Sequence, residues 1–537
     1  MMGMPHPHTG VGAWPCYLAG KAVGMNFHPH PSTPTVPLKS LGSGSDLTLP
    51  SSSEADTLER HDLALLAGSA PTLTRDEILE RRRKHYGPNL ALFFPEDPLH
   101  VTSAVGCRLY TSDSREEADS YLDCINNVSH VGHCHPQVTA AIAGQLARVN
   151  TNSRYLSQEH VQYAEALTAT FPAPLETLYL LSSGSEANEL ALRVARTLRC
   201  DGAPRTAPLH VAVLDHAYHG HTNAAMELSP YKFYGPGGAG RAQHVHVLPC
   251  PDTYRGTGLG GEAAARAAVA EAAAAGATIG AFFAESVISC GGQVMFPDGY
   301  LAGVYRVMRE QGALCVADEV QCGFGRVGDA FWAFQLQGVV PDIVTIGKPM
   351  GNGYPVSGAV MSRALAGAFA AAGGEFFATH GGSNAAVAAG AATLRVLREE
   401  GLQARAAAVG AHVAAGMRAL QAAHPTLVGD VRGRGLMLGM ELVTDAATRA
   451  PAPALAAALR ARCAARHRVL LSAEGPWGSV IKFKPPMCFG EREADRMLRA
   501  LGCELAALAA DHEQLQALHD ASRAAVAQLT RAREAWD

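Results

Sequence analysis

The sequence predicts an α/β fold built on a mostly parallel sheet with crossover helices. Two observations carry that expectation. From about residue 160 to 350, helical stretches alternate with five short apolar runs: "LYLLSS", "HVAVLDH", "IGAFFAES", "ALCVADEV" and "DIVTIGK". Each run meets polar or glycine residues at its C-terminal end, as strands do when helices cover both faces of their sheet. The chain of 537 residues is also too long for one small core, so more than one structural unit is expected.

The elements follow in order. Residues 1 to about 70 are rich in Pro, Gly, Ser and His and show little hydrophobic periodicity, so a disordered tail is expected. Its "PHPH" and "HPHPS" read as solvated chain, because alternating prolines hold no ligand set in fixed geometry. The first thirty residues lack the apolar core of a secretory signal. They are poor in acid but contain no Arg and few Lys, which argues only weakly for an organelle transit peptide. "TRDEILERRRKHYG" predicts a Thr-capped helix. "ADSYLDCINNVSHVGHCHP" predicts a strand, a loop and a helix entry. Beyond about 390, Ala-rich helices alternate with "LVGDVRGRGLMLGMEL" and "VIKFKPPM", which resemble strands of a smaller α+β domain. The expected division is 71–140 and 386–537 for the smaller domain, built from both chain ends, and 141–385 for the larger one.

Bulk properties exclude several functions. A formal net charge of −5 leaves no electrostatic footprint for nucleic acid. No apolar run reaches the length of a membrane span. Twelve scattered cysteines, none in a CxxC pair, suit a reduced compartment, cytoplasmic or mitochondrial.

Ligands bind at the C-terminal ends of strands in such sheets. In "LLSSGSEANELALR" the free amides of a helix N-terminus, at Ser183, Gly184 and Ser185, suit a phosphate, although the stretch taken alone favours an ordinary capped helix. "VLDHAYHGHT" sets Tyr218 and His219 past a strand end, where an aromatic can stack on a planar ring or simply pack. "FFAES" and "CVADEVQCGFGR" place Glu285, Asp318 and Gln321 at two more strand ends. A buried acid such as Asp318 needs a cation or an N–H donor. "DIVTIGKPMGNGYP" puts Lys348 at a fifth. "GHCHP" offers His133, Cys134 and His135, but adjacent residues cannot all face one ion, so no metal is expected. A phosphate cradle, an aromatic, a buried acid and a lysine together match the needs of pyridoxal phosphate.

"SGSEAN", "YHG", "ADEVQCGFGR", "DIVTIGK" and "THGG" occur in the order and spacing of the class III, fold type I, pyridoxal-phosphate aminotransferases, which the chain resembles over nearly all of residues 75–515. The resemblance implies that Lys348 is the Schiff-base lysine and Asp318 the partner of the pyridine nitrogen. It implies Gln321 near the ring hydroxyl, Tyr218 stacked on the ring, and Ser183, Gly184 and Ser185 at the cofactor phosphate. Thr379 would reach the cofactor phosphate of a neighbouring subunit, which implies a homodimer with shared active sites.

The chain departs from the family where substrate carboxylates are gripped. Cys290 stands where a Gln-Gly-Glu pattern ends, Lys482 where an arginine is usual, and His221 where many members have another arginine. Lysine does not replace a bidentate arginine clamp, so the expected substrate lacks a carboxylate beside its amine. "DCINNVSHVGHCHP", "NTNSRYL", "SPYKF", "PDTYRG" and "KPPMCF" resemble the phospho-lyase branch, which acts on ethanolamine phosphate or 5-phosphohydroxylysine and is related to alanine–glyoxylate aminotransferase 2. That resemblance implies elimination of phosphate and ammonia from a small phosphorylated amine, with Lys348 as the base. Arg154, Lys232, Arg255 and Lys482 are the candidate phosphate ligands. An ω-amine or alanine–glyoxylate aminotransferase, and a non-catalytic binding protein on the same fold, are the alternatives.

Overall fold

The computed structural model describes residues 73–534 except 113, 115, 236 and 374. The expected tail lies outside them. Helix Arg75–His85 opens the described chain under a capping box, in which Thr74 Oγ1 accepts from the Glu77 amide and Glu77 accepts from the Thr74 amide. Strands β1 (Val101–Val105), β2 (Arg108–Thr111) and β3 (Tyr121–Asp123) then form a small antiparallel sheet. Helix Pro136–Arg148 follows, with proline in its first turn.

The central sheet has seven strands: β4 (Leu175–Leu181), β5 (Leu209–Leu214), β6 (Val245–Leu248), β7 (Thr278–Glu285), β8 (Leu314–Asp318), β9 (Ile343–Ile346) and β10 (Ser357–Ser362). Their order is β4-β10-β9-β8-β7-β5-β6. β10 is antiparallel to both neighbours, and every other pairing is parallel. Six strands therefore run one way, and their C-terminal ends share one edge. All five apolar runs are strands of this sheet. β6 and β10 are additions to the sequence reading.

Apolar side chains of the strands alternate between two cores. Val211, Val213, Ala281, Phe283, Leu314 and Val316 pack on one face with helix Gly184–Thr197. Ala212, Leu214, Phe282, Ala284, Cys315 and Ala317 pack on the other with helix Tyr300–Glu310. Both faces are dry, as a sheet with crossover helices requires.

The C-terminal region adds a mostly antiparallel sheet. β11 (Val428–Arg434) and β12 (Met437–Asp445) form a hairpin, and the short β13 (Ala450–Pro451) pairs with β12. β14 (Val469–Leu470) runs parallel to β3, so the two chain ends share one sheet. β15 (Ser472–Glu474) and β16 (Val480–Phe483) complete the order β11-β12-β16-β15. The smaller α+β part is thus assembled from both ends of the chain.

Candidate active site

The shared edge of the central sheet carries a cleft of about 300 Å³. Ser183, Gly184, Ser185, Tyr218, His219, Asp318, Gln321 and Lys348 line it, contributed by the ends of β4, β5, β8 and β9. At its floor, helix Gly184–Thr197 starts from Ser183, whose Oγ accepts from the Glu186 amide while Glu186 accepts from the Ser183 amide. Ser185 Oγ accepts from the His221 amide at 3.0 Å. A Cβ on Gly184 would lie 2.7 Å from Val320 Cγ1. One on Gly220, at φ +134°, would lie 2.5 Å from Ser185 Oγ. The backbone of this turn is therefore held close against its neighbours, with helix amides facing the cleft.

Asp318 ends β8 and is buried. Its Oδ2 accepts from Asn188 Nδ2 and His219 Nδ1, each at 2.8 Å, and its Oδ1 accepts from the Val320 amide at 3.1 Å. Asn188 Oδ1 in turn accepts from Thr345 Oγ1 at 2.8 Å. The carboxylate is fixed by Asn188, His219 and the Val320 amide and has no Lys or Arg partner in this network. Glu285 lies behind the cleft wall, where its carboxyl accepts from the amides of Tyr218 and Ser289. Burial, assisted by the Asp318 charge, pushes the Glu285 carboxyl up to about 7. Burial also pushes the Tyr218 hydroxyl up to about 12.

Lys348 follows β9 at φ +28°, an unusual backbone value for a side-chain-bearing residue. Its Nζ donates to Gln321 Oε1 at 3.3 Å. Burial lowers its ammonium below the usual lysine range, which favours the neutral amine. Lys484 Nζ donates to the same Gln321 oxygen at 2.9 Å and to Ser289 Oγ at 2.5 Å. Gln321 Nε2 lies 3.6 Å from Cys290 Sγ.

The four basic candidates separate. Lys482 is buried and ion-paired to Glu474. Lys232 Nζ lies 5.7 Å from the centre of the Tyr218 ring, at the cleft's edge. Arg154 is exposed, paired to Glu375 at 2.9 Å. Arg255 borders a separate cavity of about 250 Å³, bound to Asp252 and Glu441. Thr379 is exposed and does not line the cleft of its own chain. In "GHCHP", His133 Nε2 contacts Asp123 and His135 Nε2 contacts Glu400, so both rings have protein partners.

Sequence reasoning missed Asn188, Thr345, Glu474 and Lys484. Two of them left a signal. Asn188 stands one helical turn beyond Gly184, on the same face. In "KFK", the period of a strand sets Lys484 on the side of Lys482.

The site fits pyridoxal phosphate on its donor set: helix amides suited to a phosphate, an aromatic lining the cleft in Tyr218, a buried acid without a Lys or Arg partner in Asp318, and an amine in Lys348. A family model for "Aminotransferase class-III" matches residues 95–503. The chain belongs to the class III aminotransferase family. This class III protein is 44% identical, over 464 residues, to the Drosophila melanogaster "Alanine--glyoxylate aminotransferase 2-like" protein, covering 84% of this chain and 91% of that one. It is 39% identical to the Caenorhabditis elegans "Ethanolamine-phosphate phospho-lyase homolog 1", covering 81% and 94%. Among solved structures it is similar to an Arthrobacter phospholyase in complex with phosphoethanolamine, at 38% identity and a TM-score of 0.73, covering 80% of this chain and 99% of that one. Class III enzymes depend on pyridoxal phosphate, and that is the cofactor of this protein.

Proposed function

We propose that this class III enzyme is a phospho-lyase that eliminates phosphate and ammonia from a small phosphorylated amine, phosphoethanolamine before 5-phosphohydroxylysine. The observation that carries the reading is the wall beside Lys348. The groups gathered there are Gln321, Cys290, Glu474, Lys482 and Lys484, with no arginine among the described residues that contact them. The likeness to a phospholyase holding phosphoethanolamine supports the same substrate.

When bound, the cofactor supplies an electron sink for the bond to hydrogen on the amine-bearing carbon. The residues supply the rest. Ser183, Gly184, Ser185 and, from a second subunit, Thr379 would hold the cofactor phosphate. Asp318, fixed by Asn188 and His219, would partner the ring nitrogen, and Tyr218 would stack on the ring. Lys348 Nζ, whose ammonium burial holds below the usual lysine range, accepts the proton from carbon. The neighbouring C–O bond then breaks, and its electron pair leaves with phosphate. The remaining enamine hydrolyses to an aldehyde and ammonia, so no keto acid is consumed.

The test incubates the pure holoenzyme with phosphoethanolamine and no keto acid, and assays phosphate and ammonia. Equimolar release supports the lyase. The second reading, an aminotransferase, is favoured by the name of the Drosophila relative. Amine transfer to pyruvate or glyoxylate, with no phosphate released from either phosphorylated amine, would establish it and sink the first.

A further inference from the structure

Helix His512–Glu534 lies beyond the residues that the family model matches, and it ends beside the strand end that leads to Tyr218. Leu515 and Leu518 pack on the core, and Ser522 is buried, its Oγ accepting from the Ala454 amide at 3.1 Å. From Ala527 to Glu534 every residue is exposed except Arg533. A helix end with no apolar anchor frays unless a contact ties it down. Arg533 makes that contact. Its Nη2 donates to Asp215 Oδ2, and its Nη1 lies 3.4 Å from His216 Nδ1. Its guanidinium also lies 4.8 Å from the centre of the Tyr234 ring. Arg533 and Asp215 are 34% and 16% exposed, so water only partly screens the pair.

Asp215 is the first residue after β5, and its amide still donates to Leu248 O of β6. At His216 the chain turns away with φ +63°, a conformation that a side-chain-bearing residue holds only when its surroundings fix it. Asp215 Oδ1 accepts from the His216 amide at 2.8 Å, so the carboxylate that Arg533 holds is itself the brace of the turn. Tyr218 follows two residues later. Its segment is laced to the one that ends at Tyr234. The Tyr231 amide donates to Ala217 O at 3.2 Å, and the His219 amide donates to Ser229 Oγ at 2.8 Å. The Tyr218 and Tyr231 rings meet edge to face at 5.9 Å. Arg533 thus touches an end of each segment, Asp215 and His216 on one and Tyr234 on the other.

We infer that Arg533 is a positioning residue, through which the C-terminal helix sets the place of Tyr218 in the cleft and so the grip on the cofactor ring. The inference rests on the proposed stacking of Tyr218 on that ring, and holds for a lyase and an aminotransferase alike. Arg533 does not line the cleft, so it acts only through the two segments it joins.

The test measures how fast holoenzyme loses pyridoxal phosphate on dialysis, together with the visible circular dichroism of the bound cofactor. Arg533→Met should speed the loss about three- to tenfold and weaken the band, as removal of one partly shielded, charge-assisted contact. Arg533→Lys keeps the charge without the fork and should recover part of the effect. Asp215→Asn breaks the same pair from its other side and should match Arg533→Met. The deciding measurement repeats Arg533→Met in a Tyr218→Leu background. Acting through Tyr218, the substitution should then change the rate of loss by less than about twofold. Equal acceleration in both backgrounds marks a merely structural contact and overturns the inference, as does wild-type retention in Arg533→Met. Tyr218→Leu alone separates the two readings. Faster loss in that variant, beside wild-type behaviour of Arg533→Met, keeps Tyr218 on the ring and discards Arg533. Wild-type retention and an unchanged band in Tyr218→Leu remove Tyr218 from the ring and the role of Arg533 with it.

Discussion

Lys348 and Asp318 divide the work of the proposed site, and each can be tested by one atom-scale change. Lys348→Ala removes the amine and should abolish the cofactor's absorbance band at the lysine and lower turnover by at least about a hundredfold. Asp318→Asn keeps the shape but removes the charge that Asn188 and His219 hold in place, and should also cost at least about a hundredfold in kcat. A near-wild-type kcat in that variant would count against the assignment. Glu285 offers a pH signature. Its carboxyl stands at about 7, above the ordinary value, so between that value and 7 the folded chain holds a proton that the unfolded chain has lost. The stability this contributes is complete below the unfolded value and is lost as pH rises through 7. Glu285→Gln, uncharged throughout, escapes that loss. In cofactor-free protein the variant's Tm should gain on wild type between about pH 5 and about pH 8. A constant gap over that range would contradict it.

The strands place these residues, and the helix that begins at Gly184 locks them. Asn188 on that helix joins Asp318 at the end of β8 to Thr345 on β9. Thr345→Val leaves the buried Asn188 Oδ1 without its donor and should cost about 1–3 kcal/mol in urea unfolding. Turnover should fall too, because Asp318 loses its brace. A variant as stable as wild type would show the link to be incidental. The same elements explain what could be read in the sequence. Five strands were legible because they are unbroken apolar runs that end in polar residues. β10, "SGAVMS", has a glycine and serines at both ends, and β6, "VHVL", carries a buried histidine, so neither stood out from loop. Lys348, Asp318 and the Ser183 turn were legible because each sits at the end of such a run. Lys484 and Glu474 were not, since only the pairing of β15 with β16 in the smaller sheet sets them side by side.

For the molecule as a whole, the exposed apolar residues are the informative ones. Tyr155 is 70% exposed, Leu156 fully exposed and Phe377 39% exposed. The two segments that carry them meet, because the Arg154 guanidinium lies 3.8 Å from the centre of the Phe377 ring and pairs with Glu375. Exposed apolar residues on segments that meet mark an interaction surface. Thr379 is on the same loop, two residues past Phe377, exposed and outside the cleft of its own chain. A second copy covering the patch would bury the aromatic side chains and carry Thr379 toward the other copy's cleft. We therefore predict a homodimer in solution by sedimentation equilibrium. Leu156→Asp places a charge in the covered patch and should shift the protein to monomer, with faster loss of pyridoxal phosphate on dialysis. Thr379→Val should leave the dimer intact and still speed cofactor loss, since it removes one hydroxyl from the phosphate and little apolar area. A wild-type monomer that retains its cofactor would defeat the shared-site reading, because Thr379 would then have nothing to reach.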